Sequence, residues 1–255
     1  MNTNMTQTAK EYPPFLREEH LIRAHECGKD HKLKFHILLD YLQDIAATHA
    51  ELLDVGLSAL ERSGTLWVLS RMKLNVRRYP QCDEKITLTT YPSGVSSLFA
   101  VREYVMTDEK GEELLHGTSF WLVIDAKTFR PLKAASFLPE NMPLNENLPR
   151  YFRENGKIER KNIPGNLSFT VRHGDIDMNR HLNNALFARN ILDSICKEKD
   201  DFVSIKEIQL NFINSGALGE ELIFGSETDS NGNFYAEALS PDGKKCYIQA
   251  TGILA

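Results

Sequence analysis

The sequence contains four cysteines, Cys27, Cys82, Cys196 and Cys246, which stand far apart and form no CxxC pair. This argues against thiolate metal ligation, and a chain of this length can bury a sizeable core without a disulfide framework. Each cysteine is expected to behave as a small buried hydrophobe. Long apolar runs are also missing: none approaches the ~18 residues that a membrane span needs. The amino terminus, MNTNMTQTAKEYPP, has one lysine and no apolar core of the kind a secretory signal carries, so the cytoplasm is the expected location. Positive charge is not in excess. With 30 Lys and Arg against 35 Asp and Glu the net charge is −5, which lacks the basic footprint of a nucleic-acid binder. A local basic patch for an acidic protein partner stays open, because net charge says nothing about distribution. No GxSxG elbow occurs, so the serine route of an α/β-hydrolase is not offered.

What is present is ordinary in amount, 42% apolar and 25% charged, but ordered in a telling way. In FHILLDYLQDIAATHAELL, Phe35, Leu38, Leu39, Leu42, Ile45, Ala46, His49 and Leu53 recur at three- and four-residue steps, which predicts a helix with one buried stripe. Four extended segments follow, LWVLSRMKLNV, KITLTTYP, LFAVREYVMT and ELLHGTSFWLVID, with DEKGE as a hairpin turn before the last. Pro131, Pro139, Pro143, Pro149 and Pro164 then mark a polar linker. After it the order returns. NLSFTVR reads as a strand, NRHLNNALFARNILDSI as a helix, and SIKEIQLNFI, ELIFGSET, FYAEAL and KCYIQATGILA as strands, with SPDGK at the hairpin position. Strand, long helix and four strands thus occur twice, the mark of a duplicated supersecondary unit. The predicted class is α+β: two tandem units, each a long helix wrapped by an antiparallel sheet. A flexible terminus over 1–12, a first unit over 13–130, a linker over 131–165 and a second unit over 166–255 complete the expected organisation.

The stretch RHGDIDMNRHLNN is where chemistry is expected. A calcium loop opening on Asp175, Asp177 and Asn179 would need glycine at its sixth position and glutamate at its twelfth, where Arg180 and Leu186 stand. A transition metal could draw on His173, Asp175, Asp177 or His181, the first three aimed one way by strand alternation, but such a site also requires a geometry and a second shell that a sequence does not carry. A capped helix start explains one or two of these residues. It does not explain Asn179, His181, Asn183 and Asn184 together, since Asn and His are mediocre helix formers.

Asp177-x-Asn179-x-His181 resembles the signature of the acyl-acyl-carrier-protein thioesterases, double-hotdog hydrolases of fatty acid synthesis. LQDIAATHAELLDVG and TLWVLSRMKLNVRRYP resemble the amino-terminal hotdog of the same family, and with no transit peptide the bacterial type is the nearer match. The resemblance implies hydrolysis of acyl-[acyl-carrier-protein] by activated water, with neither metal nor organic cofactor. His181 would be the general base, since histidine titrates near neutrality. Asp177 would fix its surroundings and Asn179 would position water or thioester. The backbone amides of Asn183 and Asn184 would receive the oxyanion. The amino-terminal half would hold the acyl chain, and Met72, Tyr91 and Phe99 could line its tunnel. His36, His49, Trp67 and Trp121 are expected to pack in the core instead. The acidic carrier protein would meet Arg172 and Arg180, and the sheet edges could pair two chains as a homodimer. In one respect the resemblance fails. The family places a glutamate and often a cysteine on the strand after the helix, and in LNFINSG those positions hold Ser215 and Gly216. Ser215 would at most orient water, and Glu207, Glu220 and Glu221 are the carboxylates nearby in sequence. Rival readings are a hotdog thioesterase acting on coenzyme A esters and a non-catalytic acyl-binding protein.

Overall fold

A computed structural model describes residues 10–153, 156–197 and 203–255, so most of the expected flexible terminus, residues 1–9, lies outside the described part. The first helix, α1 (Phe35–Leu52), matches the predicted stripe: Phe35, Leu38, Leu39, Leu42, Ile45, Ala46 and His49 are its buried residues. A short α2 (Leu57–Ser63), not expected from the pattern, follows and stops at Gly64, whose φ of 65° is the left-handed conformation that a helix end needs. Around α1 lie β1 (Leu16–Leu21), β2 (Thr65–Val76), β3 (Lys85–Ser96), β4 (Phe99–Asp108) and β5 (Glu113–Asp125). A two-residue β6 (Pro131–Leu132) adds to β5. The second round consists of β7 (Leu167–Thr170), α3 (Asn184–Cys196), β8 (Ile205–Phe212), β9 (Glu221–Thr228), β10 (Asn233–Leu239) and β11 (Cys246–Leu254).

These strands form one antiparallel sheet rather than two, in the order β1-β3-β4-β5-β2-β8-β11-β10-β9-β7. The order of the second half mirrors that of the first. The halves join where β2 pairs with β8, from Arg71 opposite Asn211 to Asn75 opposite Glu207. Each half wraps a long helix, the arrangement of a double hotdog, and one continuous cluster of buried side chains runs through both. Leu38, Leu42 and Ile45 of α1 and Ala188 and Ile191 of α3 are fully buried in it. At about 1.5–3 kcal/mol for each large apolar side chain, burial of this face is the main reason the helices form where they do. The edges are blunt: β1 carries Arg17, Glu18 and Glu19, and β7 has only four residues.

The segment between the halves is a strap. Its backbone crosses the outer face of the sheet, the face turned away from the helices. The Tyr91 hydroxyl of β3 donates to the Pro149 carbonyl at 2.6 Å, and the Tyr151 ring stacks on His116 of β5 at 4.5 Å. The Gly156 carbonyl accepts from Gln209 at 2.7 Å and Asn211 at 3.2 Å on β8. Farther on, the Lys161 amide donates to the Tyr235 hydroxyl at 3.1 Å. Two buried glutamates hold the strap from beneath. Glu103 accepts from Thr118 at 2.5 Å, Ser93 at 2.7 Å and the Tyr151 amide at 3.3 Å. Glu237 accepts from Tyr235 at 2.7 Å and the Ile163 amide at 2.9 Å. A Cβ on Gly225 would come within 2.6 Å of the Pro164 carbonyl, so only glycine lets the strap lie this close. Tyr91, expected as a tunnel wall, is thus on the outer face. Met72 is buried in the core, and Phe99 packs edge-on against Phe120.

Burial pushes the Glu103 carboxyl above the usual range, and the hydroxyls, the amide and Arg150 offset this only in part. A carboxyl raised in the folded state binds its proton more tightly there than in the unfolded chain. Its stabilising contribution is therefore present below the ordinary glutamate pKa and is lost as pH rises through the folded value. Urea denaturation between pH 4 and 7 is expected to show Glu103→Gln gaining on the parent chain as pH rises. A stability difference independent of pH would contradict this account.

Candidate active site

The polar motif occupies a loop between β7 and α3, not the body of the helix that sequence reading began at Asn179. A single tight turn, His173–Asp175, opens it, and α3 starts only at Asn184. The reason is local. The Asp177 carboxylate accepts the amides of Asn179 at 2.8 Å and His181 at 3.3 Å, a side-chain-closed turn that competes with helix. Arg180 sits in that turn with a φ of 64°, a conformation no helix contains. Asn183 then caps α3, its side-chain oxygen taking the Ala185 amide at 2.9 Å.

The loop presents its groups outward. Asn179 and His181 are exposed, Asp177 is half-buried, and the Asn179 side-chain amide approaches Asp177 at 3.4 Å. The Asn183 amide donates to the Asp175 carbonyl at 3.0 Å, so it is already used and is not an oxyanion donor as expected. Asn184, in the first turn of α3, has no helical carbonyl before it to accept its amide. Ser215 is exposed beside the motif, because the next carbonyl, that of Gly216, accepts the Leu182 amide at 2.8 Å. Arg172 and Arg180 are both exposed on the same loop.

The three carboxylates near Ser215 in sequence are committed elsewhere. Glu207 pairs with Lys73 at 3.0 Å, and Glu221 accepts from Ser168 at 2.6 Å. Glu220 pairs with Lys245 at 3.0 Å, and the same lysine reaches the Ser215 carbonyl at 3.3 Å. The groups that do reach the motif come from the other half. The Asn183 side-chain amide donates to Asp40 of α1 at 3.1 Å, Gln43 donates to the Asn183 oxygen at 3.3 Å, and Asn184 donates to the Gln43 oxygen at 3.2 Å. Burial raises the carboxyls of Asp40 and of Asp44, one turn further along. Sequence reading missed Asp40 and Gln43. In the sequence Asp40, Gln43 and Asp44 stand at i, i+3 and i+4 on the polar side of α1, where they read as solvated residues.

The first half repeats the main-chain bonds of this loop. Glu26 accepts the Arg23 amide at 2.6 Å as Asp175 accepts that of Arg172 at 2.9 Å. The Gly28 amide donates to Lys32 at 2.9 Å as that of Asp177 donates to His181 at 2.8 Å. His31 takes the left-handed conformation that Arg180 takes. The side chains differ: Gly28, Asp30 and Lys32 stand where Asp177, Asn179 and His181 stand in the second half.

Of the residues expected only to pack, His49 is fully buried on α1. Its Nδ1 must accept from Arg102 at 3.0 Å, since a guanidinium only donates, which leaves Nε2 to donate to the Pro13 carbonyl at 3.0 Å. Burial and the Arg102 charge lower its pKa to about 4, so it is neutral and structural. Trp67 and Trp121 bond the Val55 carbonyl at 2.8 Å and the Ser119 hydroxyl at 2.7 Å. Among the described residues no three His, Cys, Asp or Glu side chains converge as a metal site requires, and no helix is long and apolar enough to cross a membrane.

Two helix-bearing halves and one shared sheet, with a polar loop at the start of the second helix, define a double-hotdog protein. Comparison with known proteins is more specific. Residues 14–137 match the family model of the acyl-ACP thioesterase N-terminal domain, and residues 158–241 that of the C-terminal domain. The chain belongs to the acyl-ACP thioesterase family. It is 24% identical over 201 residues to a chloroplastic oleoyl-acyl carrier protein thioesterase of Coriandrum sativum, covering 71% of this chain and 54% of that one. It is also 24% identical over 239 residues to a chloroplastic palmitoyl-acyl carrier protein thioesterase of Cuphea hookeriana, covering 86% and 56%. The chain thus spans about half the length of the curated relatives it matches. In fold it is similar to an acyl-ACP thioesterase from Bacteroides thetaiotaomicron, with TM-score 0.81, 21% identity and coverage of 95% and 98%. The 12:0-ACP thioesterase from Umbellularia californica gives 0.79, 16%, 96% and 99%.

The Asn183 side chain both caps α3 and ties the loop to α1. Asn183→Ala is expected to lower stability by about 1–2 kcal/mol, the size of a lost cap with its partners. An unchanged denaturation midpoint would show that the contacts across the halves carry no weight.

Proposed function

We propose that the chain hydrolyses the thioester of acyl-[acyl-carrier-protein], releasing free fatty acid and carrier protein, at the loop of Asp177, Asn179 and His181. The observation that supports this most is the loop itself: Asp177 closes it, Asn179 and His181 stand exposed on it, and Asn183 and Asn184 at its end bond Asp40 and Gln43 of the opposite half. His181 takes a proton from water as its oxygen attacks the carbonyl carbon. The C–S bond then breaks, and the proton passes to the departing thiolate. Asn179 positions the water or the carbonyl, and the Asn184 amide is the remaining backbone donor for the oxyanion. Asp177 keeps the histidine amide and the loop in place. Asp40 supplies, through Asn183, the negative charge that Ser215 does not. The acyl chain lies in the first half, between α1 and the sheet. Arg172 and Arg180 meet the acidic carrier protein.

Release of fatty acid from a panel of acyl-carrier-protein and acyl-CoA esters tests the assignment. His181→Ala is expected to lose 10²–10⁴-fold in kcat, the usual worth of a general base. Asp40→Asn is expected to lose part of that factor, and adding Ser215→Glu to it to restore some. Arg180→Glu should raise KM for the carrier-protein esters alone, with an effect that fades at high salt. Full activity in His181→Ala would remove the assignment. A preference for CoA esters would move the chain to the rival substrate class.

A further inference from the structure

The loop of the first half, which carries none of the catalytic residues, still opens on a cavity. Its volume is about 350 Å³, and it lies between residues 28–36 and the last two turns of α3. Duplication gives it the same position relative to α3 that the motif loop has relative to α1. Its character is reversed. Lys32 and Lys34 replace His181 and Asn183, and Arg189 of α3 stands where α1 has Asp40. Four cations line the cavity, Lys29, Lys32, Lys34 and Arg189, against two carboxylates, Asp30 and Asp193. Burial above all, with the charges of Arg189 and Lys34 adding to it, lowers the His36 imidazole to about 4.

Apolar walls are formed by Leu33, Phe35, Tyr79, Leu192 and Val203, with His36 and Ser204 as further polar lining. Phosphate sites gather free backbone amides, and here most of the loop amides are taken, although Phe35 and His36 in the first turn of α1 have no helical carbonyl before them to accept theirs. Those of Gly28 and His31 bond within the loop, that of Lys32 bonds Asp30, and those of Leu33 and Lys34 bond the Pro80 and Glu26 carbonyls. Charge recognition falls to the cationic side chains together with the first turn of α1, above an apolar floor.

We propose that this cavity is a second, non-catalytic site that binds an alkyl carboxylate, its chain against Phe35 and Leu192 and its head group among Lys32, Lys34 and Arg189. An alkyl carboxylate is also what the proposed hydrolysis releases, so the identity of the natural ligand rests on that reading, whereas binding itself does not. A retained product would occupy this site without blocking the motif loop.

Cys196 lines the cavity and is partly exposed, so it reports on occupancy. The full chain is alkylated with N-ethylmaleimide, and each cysteine is followed by mass spectrometry in the presence of decanoate, decanol or inorganic phosphate. Decanoate should slow Cys196 at least tenfold, decanol and phosphate little. In Arg189→Gln and Lys32→Gln the half-protecting concentration should rise about tenfold with acyl-carrier-protein hydrolysis unchanged. The isotope-labelled carboxyl resonance of decanoate in NMR gives a second readout, in which a bound signal is expected and should vanish in Arg189→Gln. Absence of both protection and bound signal, equal protection by decanol, protection by phosphate alone, or indifference to both substitutions would each overturn the proposal. Protection without any hydrolysis would leave this site standing and remove the hydrolytic reading; hydrolysis without protection would do the reverse.

Discussion

The architecture depends on one pairing, that of β2 with β8. These strands are central in the sheet, and their five-residue register, Arg71–Asn75 against Asn211–Glu207, makes one sheet of two halves. With the sheet continuous, the two long helices must lie side by side on one face. α3 begins against Asp40 and Gln43, and α1 begins against Arg189 and Cys196, so the helices run antiparallel. Each loop that precedes a helix therefore faces the flank of the other helix. Neither half could form the motif surroundings alone, because the carboxylate that reaches Asn183 belongs to the first half.

That geometry also brings a carboxylate of the other half to the end of the loop. A strand carboxylate and a helix carboxylate can approach the same loop from two directions. Here the strand side offers Ser215 and a lysine-held Glu220, while the helix side offers Asp40. Half-burial raises the Asp40 carboxyl, the nearby Asp44 charge adds to this, and the Asn183 amide offsets it only in part.

The duplicated loops show how one backbone can serve opposite electrostatics. Their hydrogen bonds match because they are made mostly by main chain and by one acid, Glu26 or Asp175. The positions that differ carry Asp177, Asn179 and His181 in one half and Gly28, Asp30 and Lys32 in the other, and of these Asp177 alone closes its own loop. The strap between the halves has a separate role: it covers the outer face of the sheet, and the buried Glu103 and Glu237 accept its amides where a bare sheet would present polar groups to solvent.

The sequence by itself carried the helix α1, the strands, the hairpins and the duplication, because these rest on local periodicity and on turn residues such as Gly111 and Gly243 with positive φ. The motif was legible for the same reason, since Asp177, Asn179 and His181 lie within five residues. The start of α3 was misjudged because a carboxylate closing its own turn outweighs helical spacing. The role of residues 131–165 was not legible at all, because the bonds of Tyr151, Gly156 and Ile163 go to partners some fifty to seventy residues away. Asp40 and Gln43 read as the polar side of an amphipathic helix. Only the packing of α1 against α3 decided that this side would face the site, for a contact spanning 143 residues leaves no trace in local pattern.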